Sequence, residues 1–138
     1  MNDTMEERND IVIYTSEDGM VKMEAMVDPA NETIWANQKA IAALFGVTVP
    51  NISYHLGRIF KSGELEADTV VKEILITAQS GARDTSDEKI RYYNLDAIIF
   101  IGYRVNSIRA TKFRIWATNV IKQYMLKGYP MKSLSKDG

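Results

Sequence analysis

The sequence predicts an α+β domain: an N-terminal β-hairpin, a helix-turn-helix, a second β-hairpin placed as a wing, and a C-terminal helix pair. Three observations carry this. Val21, Met23, Ala25 and Val27 alternate with Lys22, Glu24 and Met26, the period of a half-buried strand. Two short segments with apolar residues three and four apart meet around Gly46. A β-branched run, VVKEILITA, is followed by segments whose apolar residues repeat at helical spacing as far as Tyr124.

Taken in order, residues 1–10 form a polar acidic arm without apolar periodicity, expected to be disordered. IVIYT and MVKMEAMV then make the first hairpin. Glu17-Asp18-Gly19 supplies the turn, with glycine available for positive φ. Pro29-Ala30-Asn31-Glu32 ends it. Asn37 is an N-cap before a helix on which Ile41, Leu44 and Phe45 share one face. After Gly46, Thr48 caps a second helix, with Pro50 in its first turn and Ile52, Leu56, Ile59 and Phe60 as its apolar stripe. Lys61-Ser62-Gly63 stops it. An acidic connection from Glu64 to Asp68 leads to VVKEILITA. QSGARDTSDE reads as a long polar loop and KIRYYN as a shorter returning strand. Asn94 and Asp96 mark a helix start, although DAIIFIGYRV is apolar nearly all round and fits a buried strand as well. Phe113, Trp116, Ala117, Val120, Ile121 and Tyr124 then define a long helix, ended by Gly128 and Pro130. The domain is expected over 11–130, the helix-turn-helix over 38–60, and a tail or linker over 131–138.

Composition narrows the function classes. A chain of 138 residues, 46% hydrophobic and 25% charged, is long enough to bury one core without staples. With no cysteine, disulfides, thiolate zinc sites and cysteine nucleophiles drop out, and a reducing cytoplasmic setting is expected. The single histidine, His55, builds no metal cluster alone, and no cofactor or metal is expected. No apolar run is long enough for a membrane span. The net charge of −1 is unevenly spread. Residues 1–35 carry nine acids and two bases, residues 36–138 carry fifteen bases and nine acids, and residues 97–136 carry eight bases and no acid. Phosphate attraction follows the local patch rather than the sum.

The segment QKAIAALFGVTVPNISYHL carries the functional signal. Two helices that meet at a fixed angle need a small residue at their contact, here Ala42, and a glycine in the turn, here Gly46. Apolar anchors are supplied by Ile41, Phe45, Val47 and Ile52. The candidate DNA-binding residues are Gln38, Thr48, Pro50, Asn51, Ser53, Tyr54, Arg58 and Lys61. Asparagine pairs with adenine, serine and tyrosine reach phosphates, and arginine does either. Residues 33–63 contain no acid, which favours a DNA reader over a merely structural α-hairpin. Arg104, Arg109, Lys112 and Arg114 are candidate phosphate contacts, with a solvated helix face as the equal alternative. His55 is expected to be a partly buried helix residue.

Longer strings then bear on family. Glu32-Thr33-Ile34-Trp35, the helix-turn-helix segment, IFKSGEL (59–65), YYNLDAIIFIGYRVNS (92–107) and FRIWATNVIKQYMLKGY (113–129) resemble the N-terminal region of the RhuM family, whose members lie near virulence islands and mobile elements. The second half is also similar to the Bro-N and phage antirepressor type of domain. The resemblance implies DNA binding, a helix over the ambiguous 96–105 run, and longer relatives, so a C-terminal effector domain beyond this chain is expected. It names no catalytic residues.

The expected function is therefore sequence-specific binding of double-stranded DNA, used in transcriptional regulation, by a non-enzymatic protein acting as a homodimer. The alternative is a protein-interaction or oligomerisation domain that uses the C-terminal helix, with the helix-turn-helix as scaffold. A nuclease would need clustered carboxylates to hold metal, and the acids sit mainly in the N-terminal arm and the loops.

Overall fold

The computed structural model describes residues 10–80 and 84–127, with side chains over 10–75 and 88–127. Residues 1–9 of the acidic arm, the 131–138 tail and the helix stop at Gly128 and Pro130 lie outside the described residues. Among the described residues, five strands, β1 (Asp10–Thr15), β2 (Lys22–Asp28), β3 (Thr33–Asn37), β4 (Val71–Ser80) and β5 (Asp84–Tyr93), form one antiparallel sheet in the order β1-β2-β3-β5-β4. Among the described residues, five α-helices complete the α+β fold: α1 (Gln38–Phe45), α2 (Val49–Ser62), α3 (Ala67–Val70), α4 (Leu95–Val105) and α5 (Ser107–Lys127).

The first hairpin forms as its alternation predicts. β1 (Asp10–Thr15) pairs with β2 (Lys22–Asp28), and Gly19 takes φ 75° in the turn. Val21, Met23, Ala25 and Val27 are buried while Lys22 and Glu24 are exposed. Asp10, assigned to the disordered arm, instead opens β1 opposite Val27, because the pairing extends one residue beyond the apolar run.

A strand absent from the sequence reading follows. β3 (Thr33–Asn37) is the central strand, pairing with β2 through Thr33–Trp35 and with β5 through Ala36 and Asn37. Four of its five residues are buried, so it has no alternation to reveal it. It is entered through a 3-10 turn (Pro29–Asn31) and Glu32, which takes φ 53°. Asp28 holds this corner, accepting from Asn31 Nδ2 and Trp35 Nε1, each at 2.9 Å. Burial pushes the Asp28 pKa up, but these hydrogen bonds, with the Asn31 backbone N–H and the charge of Lys72, outweigh it and leave the carboxyl below its ordinary value. Thr33 Oγ1 accepts from the Leu95 backbone N–H at 3.0 Å, tying the central strand to the start of α4.

The expected loop QSGARDTSDE is largely strand. β4 (Val71–Ser80) and β5 (Asp84–Tyr93) each run for ten residues, because ladder bonds are available to polar residues wherever a partner lies opposite. Only Tyr92 and Tyr93 of β5 pair with β3. The eight pairs from Glu73↔Arg91 to Ser80↔Asp84 therefore project as a two-stranded arm, roughly 25 Å long at about 3.3 Å per residue. Before it, the acidic connection folds into α3, whose Val70 is buried and whose Val70 carbonyl accepts from Asn94 N–H.

Both C-terminal segments are helical. Asn94 Oδ1 accepts from Ala97 N–H at 3.1 Å to cap α4. Asn106 Oδ1 accepts from Arg109 N–H at 3.1 Å at the start of α5. Buried residues from the sheet, α1, α2, α4 and α5 form a single cluster, with Ile34, Ile41, Ile52, Ile98 and Phe113 fully enclosed. The Tyr14 ring meets Phe113 edge-on at 5.3 Å and Trp116 at 5.1 Å. Trp116 is partly buried against this cluster and faces the same interior as Phe113 and Val120.

Candidate nucleic-acid interface

The site is built by local rules in the stretch from Asn37 to Gly63. Asn37 Oδ1 accepts from Ala40 N–H at 2.8 Å and starts α1. Gly46 ends it at φ 71°, a left-handed conformation that favours glycine. Thr48 Oγ1 accepts from Asn51 N–H at 3.2 Å and starts α2, with Pro50 in the first turn. Gly63 closes α2 at φ 81°, where its N–H and that of Glu64 return to the Ile59 and Phe60 carbonyls. Ile52, Leu56 and Ile59 bury one side of α2 against the core that holds Ala42 and Phe45.

That burial orients the opposite side outward. Pro50, Ser53, Tyr54, Gly57, Arg58 and Lys61 are exposed on α2, and Thr48 is exposed just before it. Gln38 Nε2 donates to Ser53 Oγ at 2.9 Å, so the first helix fixes a side chain of the second. The Arg58 guanidinium lies 5.7 Å from the Tyr54 ring centroid, and Tyr54 meets His55 edge-on at 5.2 Å. Asn51 is turned partly inward and is half-buried. Among the described residues, its Oδ1 and the Nδ1 of His55, one turn further along, are buried without a hydrogen-bond partner. Burial first, then the positive charges of Arg104 and Arg58, hold the His55 pKa below its ordinary value and favour the neutral ring.

The four basic residues of the C-terminal half do not converge. Arg104 comes to the end of α2, where it pairs with Glu64. The Ser62 hydroxyl and Arg104 together hold the Glu64 carboxyl below its ordinary value. Arg109 donates from Nη1 to the Leu44 carbonyl at 3.1 Å, at the end of α1. Lys112 pairs with Glu17 in the first hairpin turn at 3.0 Å. Arg114 is exposed and, two residues after Lys112, lies on the far side of α5.

The fold adds two features that sequence reasoning missed. The β4–β5 arm leaves the sheet at the end where β3 passes into α1. At the base of the arm, Lys22, Asn37, Lys39 and Tyr92 help line a cavity of about 290 Å³. Lys39 was detectable as the one base between residues 33 and 57, but its place beside the arm depends on β3. Among the described residues, no group of three His, Cys, Asp or Glu side chains is placed to hold a metal ion. No helix of the described residues is long and apolar enough to cross a membrane.

Residues 69–135 match the family described as Virulence protein RhuM family, a region that takes in the β4–β5 arm, α4 and α5. No curated protein and no solved structure matches the chain.

Proposed function

We propose that this chain, whose residues 69–135 match the virulence protein RhuM family, is a sequence-specific reader of double-stranded DNA. In this reading α2 lies in the major groove, the β4–β5 arm flanks it as a wing, and the protein regulates transcription in the cytoplasm. The observation that carries the reading is the outward face of α2. It holds Ser53, Tyr54, Arg58 and Lys61, has no carboxylate between residues 33 and 63, and is stiffened by the Gln38–Ser53 hydrogen bond. Backbone contacts from Arg58 and Lys61 set position, and Ser53 and Tyr54 are aimed at base edges and phosphates. The projecting arm supports the reading in a second way. An isolated two-stranded ribbon is marginal in water, and a nucleic-acid groove is one surface that steadies it.

The test uses the full chain. Duplexes recovered from a random-sequence library by selection on the protein are measured by fluorescence anisotropy over a salt series. Binding should weaken steeply with salt, and Arg58→Ala and Lys61→Ala should each reduce the slope of log K against log salt by about one. Recovery of no duplex above the random background would overturn the reading.

A second reading has its own observation. Ile108, Ile115 and Leu126 are 69%, 53% and 74% exposed and fall on one side of α5 at spacings of seven and eleven residues. In this reading α5 is an interaction surface that meets a second copy or another protein. A homodimer through α5 is compatible with DNA binding and would place two α2 helices on half-sites about one helical turn apart. Light scattering of the free protein and of its duplex complex tests it. A strictly monomeric mass in both would remove the homodimer.

A further inference from the structure

Five glycines lie within the described residues, and four have an internal reason to be glycine. Gly19, Gly46 and Gly63 take φ 75°, 71° and 81°, where side chains are disfavoured. A Cβ on Gly102 would meet Phe45 Cζ at 2.5 Å and the Ala110 Cβ at 2.6 Å. Gly57 is different. It lies inside α2, five residues before the last, Ser62, and a Cβ built there meets nothing within 4 Å. In a helix interior, glycine forms the helix less well than alanine by a factor of roughly four to five. Nothing in the described residues offsets that cost.

The position of Gly57 says what would. It follows Ser53 by one turn and precedes Lys61 by one turn, with Tyr54 and Arg58 beside it, on the side of α2 opposite Ile52, Leu56 and Ile59. Glycine within a regular element serves where another surface must come against the backbone itself. We propose that Gly57 is the point of closest approach between α2 and the DNA, where the helix backbone lies directly against the major-groove face of the duplex. This rests on the DNA-reading role given to α2 above. A side chain at residue 57 would hold the helix off the groove and lengthen the contacts of Ser53, Tyr54 and Arg58 together.

The proposal predicts that stability and affinity move in opposite directions. Gly57→Ala and Gly57→Leu, in the full chain, are compared with the unaltered protein by thermal melting and by anisotropy on a duplex recovered from the random library. Both substitutions favour the helix, so the melting midpoint of the alanine variant should rise by about 2–5 °C. Its dissociation constant should rise about tenfold, and that of the leucine variant further. Unchanged or tighter binding by Gly57→Ala would overturn the proposal. A fall in its melting midpoint would also overturn it, by giving Gly57 an internal role. The two levels separate cleanly. If the unaltered protein selects no duplex, the reading of α2 fails and this proposal with it. If it binds and the alanine variant binds equally well, only the role of Gly57 fails.

Discussion

The Arg109 guanidinium donates from Nη1 to the Leu44 carbonyl at 3.1 Å, joining α5 to the last turn of α1 across 65 residues of sequence. A Cβ on Gly46 would lie 2.9 Å from the same nitrogen, so the turn between α1 and α2 leaves room for a cation from elsewhere in the chain. Helix ends leave carbonyls unpaired, and a charged donor satisfies one while meeting the negative end of the helix dipole.

From this contact, Arg109→Met should lower stability by about 1–2 kcal/mol in urea denaturation, since the variant keeps the apolar stem and loses the donor. A stability equal to that of the unaltered protein, combined with a DNA salt slope reduced by about one, would give Arg109 to phosphates instead.

Gly102 is where α4 admits its neighbours most closely. Gly102→Ala should cost about 1–3 kcal/mol, because the new methyl group must displace the Phe45 ring and Ala110 in a packed interior. Equilibrium unfolding measures it, and a loss under about half a kcal/mol would mean that these side chains yield freely.

The Gln38–Ser53 hydrogen bond should appear in DNA affinity as coupling. Gln38→Ala and Ser53→Ala are each expected to weaken binding. The double variant should lose less than the sum of the two by about 0.5–1.5 kcal/mol, because either change alone already breaks the pair. Strict additivity would show that Gln38 acts independently of Ser53.

His55 predicts a pH dependence of known sign. Its folded pKa is depressed, by burial first and then by Arg104 and Arg58, so the unfolded chain binds the proton more readily. Its contribution to stability is complete above the ordinary value of 6.5 and is lost as pH falls below that value toward the folded one. Melting temperatures should therefore drop between pH 7.5 and 5, and His55→Gln should flatten the drop. Asp28 and Glu64, whose carboxyls are held low, contribute a separate loss at more acidic pH. Parallel pH curves for the two proteins across 6.5 to 5 would exclude His55 as the source.

Local signals made most elements legible. Asn37, Thr48 and Asn94 each cap a helix with the side-chain oxygen their position suggests, because capping involves residues only three apart. Gly46 and Gly63 end helices for the same local reason, and the Val21–Val27 alternation placed the first hairpin correctly. The exposed face of α2 followed from its buried stripe, since one side of an amphipathic helix defines the other, except at Asn51, which is expected outward and instead has its Oδ1 buried. Tertiary structure decided the rest. β3 has no period of its own and exists because β2 and β5 both hydrogen-bond to it. Gln79, Ser80 and residues 84–88 are strand because each finds a partner across the arm, which composition does not encode. Arg104, Arg109 and Lys112 look alike as a basic cluster, yet Glu64, Leu44 and Glu17 divide them, and those partners lie 40, 65 and 95 residues away in sequence. Capping and periodicity act within a few residues and can be read along the chain. Pairing, close packing and ion partners act between distant residues and are settled only when the fold brings them together.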